Sequence, residues 1–356
     1  MAAPISWSRA GDDICICGIG VRSPLGFSAA ASAAAVRGAI SAVSIHPAFL
    51  DKVGEPINMA RDADLDPDVD IAARMEAMLA SAIADACADM LPARAWATTQ
   101  CWIGLPELRP GLPSDLASLI SSALERASPA TPSAIKVLPR GHASGLMALQ
   151  VAAQKIAAGE MELCIAAGVD SYHDVATLQW LDESGLVMSA ENRNGFAPSE
   201  AAGACLVASR TVARRYGLPI LARIVAATTA FEPKSIRSSE ICIGEGLTVA
   251  LQGVISSLRL PDQAITAMYC DLNGERYRNE EFVYTLLRVQ EGFVDAHDYL
   301  SPADCWGDVG AASGPLFASL AVAASERGYA KGPYPVLWAG SESGHRTAVL
   351  LALGEP

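Results

Sequence analysis

Charge is scarce in this chain of 356 residues: 18% of its residues are charged, against 51% hydrophobic. Basic residues are the scarcer sign, 26 Lys and Arg against 39 Asp and Glu, for a net charge of −13. That excludes a protein built to neutralise nucleic-acid phosphates, which needs basic patches. Long apolar runs are also missing. No stretch reaches about 18 apolar residues without a charge or a Gly/Pro break, so no membrane span is expected. The N-terminus lacks a basic segment followed by an apolar one, so no secretory signal is expected and a cytoplasmic protein is. Nine cysteines are present but no CxxC pair, and the five histidines do not fall at ligand spacing from them. Neither a metal site nor a cofactor is expected. The cysteines read as buried thiols in a reducing compartment, Cys15 and Cys17 sharing one face of an apolar strand. The plentiful apolar residues suffice for a large core and for further burial in an oligomer.

Strand-like and helix-like segments alternate along the whole chain. Ile14 to Gly20 reads as a buried strand ending in glycines, and Ser28 to Val36 as a small-residue helix. Asp70 to Met90 carries Met75, Met78, Leu79 and Ile83 on one helical face. Strands are expected at Cys101–Pro106, Ala134–Leu138, Glu162–Val169 and within Phe196–Ala208. The second part repeats the alternation, with strands at Ala222–Ala227, Ala267–Asp271, Val336–Ala339 and Thr347–Leu353. Helices are expected there at Gly246–Leu258, Glu280–Val289 and Gly310–Ala324. Two comparable halves of this kind, 1–212 and 213–356, indicate an α/β protein with buried sheets, and no polar linker separates them.

One loop stands out. Val137-Leu138-Pro139-Arg140-Gly141-His142-Ala143-Ser144-Gly145 runs from a short strand through a sharp turn into a helix. With Gly18-Ile19-Gly20-Val21-Arg22-Ser23-Pro24-Leu25-Gly26, Ala166-Ala167-Gly168-Val169-Asp170 and Arg193 to Ala204, it forms an ordered set of motifs that resembles the beta-ketoacyl synthase family of the thiolase superfamily. The resemblance implies a thiolase-like five-layer α-β-α-β-α fold with two pseudo-repeated halves. It also implies a dimer, in which the strand at about Ala134 to Leu138 pairs across a two-fold axis.

The resemblance stops at the chemistry. The family condenses acyl units with one cysteine and two histidines, the thiolate activated by the helix N-terminus and the histidines stabilising an enolate. At the matching positions this chain has His142, Asn273 and Asp308. An imidazole makes a poor acyl store, and the helix dipole disfavours its protonated form. Asn273 keeps a donor for an oxyanion. Asp308 adds like-charge repulsion to an enolate, about 1 kcal/mol at 4 Å in water and more when buried. The family's Gly-Phe-Gly-Gly turn is replaced by Ser341-Glu342-Ser343-Gly344-His345-Arg346, which puts charges near the expected pocket mouth. Ser144, Phe196, Ser343, Gly344 and His345 are the other residues expected at the pocket, with Ser144 capping the elbow helix.

Three readings follow. The first is a catalytically degenerate homologue serving as a binding or adaptor protein for a protein client. The second is a chain-length-factor-like partner of an active ketosynthase, in a heterodimer that engages an acyl carrier protein. The third is a repurposed acyltransferase or hydrolase using His142 with Asp308 beside a serine. The first agrees best with the loss of all three catalytic residue types, and a homodimer is the arrangement it entails.

Overall fold

The computed structural model describes residues 5–6, 13–87, 90–127, 132–189, 192–236, 238 and 240–354. Its first elements are β1 (Ile5–Ser6), β2 (Ile14–Arg22), α1 (Ala29–Arg37), the hairpin β3 (Ser44–Leu50) and β4 (Pro56–Met59), α2 (Ile71–Cys87) and α3 (Ala93–Trp96). They are followed by β5 (Thr99–Leu105), α4 (Leu116–Ala127), β6 (Ala134–Pro139), α5 (Ser144–Ala157), β7 (Leu163–Ser171), α6 (Val175–Glu183), β8 (Glu200–Ser209) and α7 (Arg210–Tyr216). The remainder comprises β9 (Ala222–Phe231), α8 (Glu245–Ile255), β10 (Ala267–Cys270), α9 (Arg276–Val289), β11 (Tyr299–Leu300), α10 (Ala303–Trp306), α11 (Ser313–Glu326), β12 (Pro335–Gly340) and β13 (His345–Leu353).

The sheet reads β11-β10-β12-β13-β9-β2-β8-β7-β5-β6, and the order is a repeat seen twice. In each set the first strand lies antiparallel to the last, β2 to β8 and β9 to β13. The last is antiparallel to the strand before it, β8 to β7 and β13 to β12. A parallel run completes each set, β7-β5-β6 and β12-β10-β11. The sets join through a short pairing of Cys15 with Arg223 and Ile16 with Ala222. The chain passes from one to the other through α7, which contains residues 212 and 213.

Side-chain alternation along the strands sorts the core into layers. Ile14 and Ile16 of β2, Leu337 and Ala339 of β12 and Val349 and Leu351 of β13 join the cluster around α5 and α11, between the two sets. The intervening residues face outward. Cys15 and Cys17 pack with Met75, Met78 and Leu79 of α2, and Val336, Trp338, Ala348 and Leu350 pack with α8 and α9. The layers are therefore α2/α4, sheet, α5/α11, sheet, α8/α9. In β2 the glycines let α2 lie directly on the strand, because a Cβ on Gly18 or Gly20 would sit 2.0 Å from the carbonyl oxygen of Ala86 or Ala82.

The sequence reading did not foresee the hairpin β3–β4 or helix α6. β3 is largely exposed and carries Pro47, and β4 is only four residues long, with Ile57 and Met59 buried, so neither gives the long apolar run that marks the central strands. Helix α6 starts on Asp174, whose side chain accepts from the Thr177 N–H, and it buries Leu178 and Leu181. The nine cysteines form no disulfide, and all but the half-buried Cys242 lie in the interior. Among the described residues no helix is long and apolar enough to cross a membrane.

Candidate functional site

β6 delivers the chain to an elbow at Gly141, whose φ of 67° is left-handed and favours glycine. A short 3-10 turn, Gly141–Ala143, then opens α5, and His142 sits on that turn, buried. The second set of strands repeats this construction. Gly310, at φ 51°, opens the turn Gly310–Ala312 ahead of α11. Gly141-His142-Ala143-Ser144-Gly145 thus corresponds to Gly310-Ala311-Ala312-Ser313-Gly314. In both elbows the serine hydroxyl donates to the carbonyl of the leading glycine, Ser144 to Gly141 at 2.5 Å and Ser313 to Gly310 at 2.7 Å. Ser144 is therefore not the N-cap expected of it. Its backbone is already helical, and its hydroxyl is a donor to carbonyls, not an acceptor for the helix N–H groups. The N–H of Ala143 is received by Ser341, which in turn donates to the carbonyl of Arg140. Sequence reasoning picked Ser343, Gly344 and His345 from that loop and assigned no role to Ser341.

The elbows meet closely. A Cβ on Gly145 would lie 2.6 Å from the Ala311 oxygen, and one on Gly314 would lie 2.5 Å from the Leu146 nitrogen. Their contact brings His142 to Asp308, which precedes the second elbow. His142 Nε2 lies 2.9 and 3.0 Å from the two carboxylate oxygens. Asp308 also accepts from the Gly310 N–H at 2.9 Å and from Asn273 Nδ2 at 2.5 Å. Asn273 Nδ2 has a second acceptor in Glu275 at 3.0 Å, so its amide is shared between two carboxylates. Glu275 and Asp271 are both held by Arg278, which is 4% exposed and donates to the Gly340 carbonyl as well. The three positions singled out in the sequence are thus parts of one largely buried chain of hydrogen-bonded polar groups, His142–Asp308–Asn273–Glu275–Arg278–Asp271.

The electrostatics follow from this arrangement. Burial pulls the His142 imidazole down, but the Asp308 charge and hydrogen bond outweigh both burial and Arg278, and the ring is raised from 6.5 to about 9. Burial pushes the Asp308 carboxyl up, and the His142 charge, with Arg278 and Asn273, reverses that and holds it well below the usual carboxylate range. The expectation that the helix dipole would keep the ring neutral fails, since a full charge 3 Å away exceeds half a charge at a helix end. At neutral pH the pair is imidazolium and carboxylate.

Little space remains around the ring. A cleft of about 30 Å³ lies on the outer side of His142, between Glu107, Arg109, Tyr172 and Glu342. That is room for one or two waters. On the inner side, toward Trp306 and Phe317, about 10 Å³ is left. Arg109 donates to Asp170 at 2.6 Å and lies 4.1 Å over the Tyr172 ring, closing the cleft floor. The other sequence-expected pocket residues stand further off. Phe196 packs on Tyr172 with ring centroids 5.6 Å apart. Ser343 donates to Glu107 at 2.6 Å, Gly344 turns the backbone at φ 106°, and His345 stands edge-on to Phe231. Glu342 is at the cleft as expected, but Arg346 is not, because it points into the core and binds Glu281 through two nitrogens at 2.7 and 2.8 Å. Among the described residues no hydroxyl or thiol hydrogen-bonds a ring nitrogen of His142. Among the described residues, the one group able to present three metal-ligand atoms together is Glu232, Cys242 and Glu281. Its carboxylates already serve Arg346 and the N–H groups of Lys234 and Gly246.

Residues 137–213, less than half of the chain, match the family described as Beta-ketoacyl synthase, N-terminal domain. A search of curated proteins gives no match. An oxazolomycin ketosynthase domain of Streptomyces albus JA3453 superposes with a TM-score of 0.76 at 17% identity, over 97% of this chain and 76% of that one. A type II polyketide-synthase ketosynthase, solved in complex with its acyl-carrier protein, gives 0.80 at 13% identity over 97% and 100% of the two chains. The ishigamide ketosynthase/chain length factor gives 0.79 at 15% identity, again over 97% and 100%. The chain therefore shares the fold of solved ketosynthases, and residues 137–213, which contain the first elbow, are similar to the N-terminal domain of beta-ketoacyl synthases.

Proposed function

We propose that this protein uses the ketosynthase fold without condensing chemistry, as a binding or adaptor protein, and that His142, Asn273 and Asp308 are the inert counterparts of the family's catalytic cysteine and histidines. The observation that carries the reading is the buried pair of His142 and Asp308, backed by Asn273. An acyl acceptor needs a free lone pair and a route for the acyl chain. The imidazolium that Asp308 stabilises has no lone pair to offer, and about 30 Å³ in front of it holds water only. The elbow N–H of Ala143, a natural oxyanion donor, is engaged by Ser341. The same facts weigh against His142 acting with Asp308 as an acyltransferase or hydrolase, for which no partnered hydroxyl is on hand.

A second reading is favoured by one separate observation. Strand β6 is a sheet edge, hydrogen-bonded only to β5 among the described residues. An unpaired edge next to the elbow suits pairing with a second subunit, either another copy or a ketosynthase, as in a chain-length-factor-like complex that meets an acyl carrier protein.

The test is intact-mass spectrometry after incubation with acyl-carrier and acyl-CoA thioesters, with thioester loss followed in the same samples. The expected result is no adduct and no loss above background. An adduct on His142 or catalysed thioester loss overturns the adaptor reading. Sedimentation of the protein alone separates the two quaternary readings. A stable homodimer supports the adaptor, and a monomer that dimerises only with an added ketosynthase supports the partner subunit.

A further inference from the structure

Away from the elbow, α1, α11, strand β10 and the edge strand β11 border a second cavity of about 250 Å³. Its walls are apolar and buried: Ala33 and Val36 from α1, Met268 from β10, Leu320 and Ala324 from α11. Three charges stand at its edge, Arg37, Lys331 and Asp298. Lys331 lies 2.5 Å from both oxygens of Asp298, and the two cancel. The Arg37 guanidinium lies 3.8 Å over the Tyr329 ring and makes no ion pair among the described residues. Arg37 is therefore the rim charge that has no ion pair among the described residues, in a protein with a net charge of −13. Tyr269 also lines the cavity. Its ring is buried, while its hydroxyl makes no protein hydrogen bond among the described residues and is accessible at the cavity wall. An apolar body, a cation without an ion pair at the mouth and an accessible hydroxyl donor at the wall together describe a receptor for an anion with an apolar tail. The neighbouring cavity of about 430 Å³, beyond Arg37 and Tyr329, lacks this bias because Asp85 and Glu326 stand with Arg37 and Arg327 at its walls.

We propose that the cavity between α1, β10 and α11 binds a small aliphatic or aryl carboxylate, with its apolar part between the two helices and its charge at Arg37. The Tyr269 hydroxyl supplies a second donor. An apolar protein cavity of about 150 Å³ accommodates benzene, so 250 Å³ suits about ten non-hydrogen atoms, the size of octanoate.

The experiment titrates the full chain with octanoate by isothermal calorimetry at pH 7, with octan-1-ol and octylammonium in parallel. Octanoate is expected to saturate one site per chain and to bind at least about ten-fold more tightly than octylammonium, since the charge-assisted contact reverses sign. Arg37→Gln, an exposed position that leaves the fold intact, is expected to weaken octanoate about five- to ten-fold. Ala33→Phe is expected to abolish binding by filling the cavity, and His142→Gln to leave it unchanged, which keeps this inference separate from the role of the elbow. The proposal is overturned if octanoate shows no saturable binding up to about 5 mM, well above useful affinity. It is also overturned if octylammonium binds as well as octanoate, or if Arg37→Gln changes the affinity less than three-fold.

Discussion

Replacing Asp308 by Asn removes the charge opposite His142 and leaves the size of the side chain and an oxygen for the Gly310 N–H in place. The imidazole is raised from 6.5 to about 9 by its surroundings, a preference for the charged form of about 3 kcal/mol. That stabilisation is fully present below about pH 6.5, where the unfolded chain is protonated too, and is lost as pH rises through 9. The Asp308 carboxyl, lowered by the same pair, sets the acid limit: its contribution is present above about pH 4 and fades as pH falls further. Because it is one interaction seen from two ends, it is counted once. Urea unfolding of wild type and Asp308→Asn at half-unit steps from pH 6 to pH 10 reads the difference directly, and other titrating groups cancel between the two proteins. The expected difference is about 3 kcal/mol at pH 6.5, falling by about 1 kcal/mol per unit above it and mostly gone by pH 9. In parallel, the His142 ring, assigned by its loss in His142→Gln, is expected to titrate near 9 by NMR and to fall below 6.5 in Asp308→Asn, where burial and the Arg278 charge are no longer opposed by Asp308. A stability difference that stays flat from pH 6.5 to 9.5, or a His142 ring titrating near its ordinary value in the wild type, refutes the ion pair and with it the argument for an inert elbow.

Three further outcomes are expected. His142→Cys places a thiol against the Asp308 carboxylate, which opposes the thiolate. Iodoacetamide is expected to alkylate it at least about ten-fold more slowly than the thiol of the double variant His142→Cys/Asp308→Asn, as followed by intact mass. Gly145→Ala drives a methyl to 2.6 Å from the Ala311 oxygen and 2.7 Å from Pro315 Cδ, so a loss of about 3 kcal/mol and a melting point lower by several degrees are expected. Gly38→Ala, where the nearest atom is 3.4 Å away, is the control that leaves it unchanged. Burial raises the thiols of Cys17, Cys87 and Cys205 to about 12, so a disulfide reagent at pH 8 is expected to find at most the half-buried Cys242 before denaturant is added, and all nine cysteines afterwards.

The buried strands and the elbow were legible in the sequence because their causes are local. Ile14-Cys15-Ile16-Cys17 can only be a strand with two apolar faces, and Gly141 with Ser144 and Gly145 marks a turn that needs left-handed backbone and close packing. The motif at Gly310 to Gly314 is equally plain, yet its kinship with the first elbow emerges only when both turns are seen in contact. Arg346 shows a signal that was present but unused. It shares strand parity with Ala348 and Leu350, which face α9, so alternation alone directs it toward Glu281 and away from the cleft. The network behind Asp308 was not legible. Arg278, Glu275 and Asp271 lie on a loop and a helix whose approach to His142 depends on the whole second set of strands, and no short-range pattern encodes that. Hairpin β3–β4 escaped notice for the opposite reason: β3 is too exposed, and β4, with Ile57 and Met59, too short to leave an apolar signature.

The back-to-back elbows have a consequence for how such a protein can change. What fixes the turn is glycine against backbone at 145 and 314, with two serines tying down their own leading carbonyls. None of these contacts involves the side chain at the tip. Position 142 is therefore a socket whose contents can be exchanged while the frame around it stays put, provided that its neighbour at 308 is exchanged in step. The parts that hold the turn and the part that fills its tip are separate here, so the contents of the tip can vary without disturbing the meeting of the two helices.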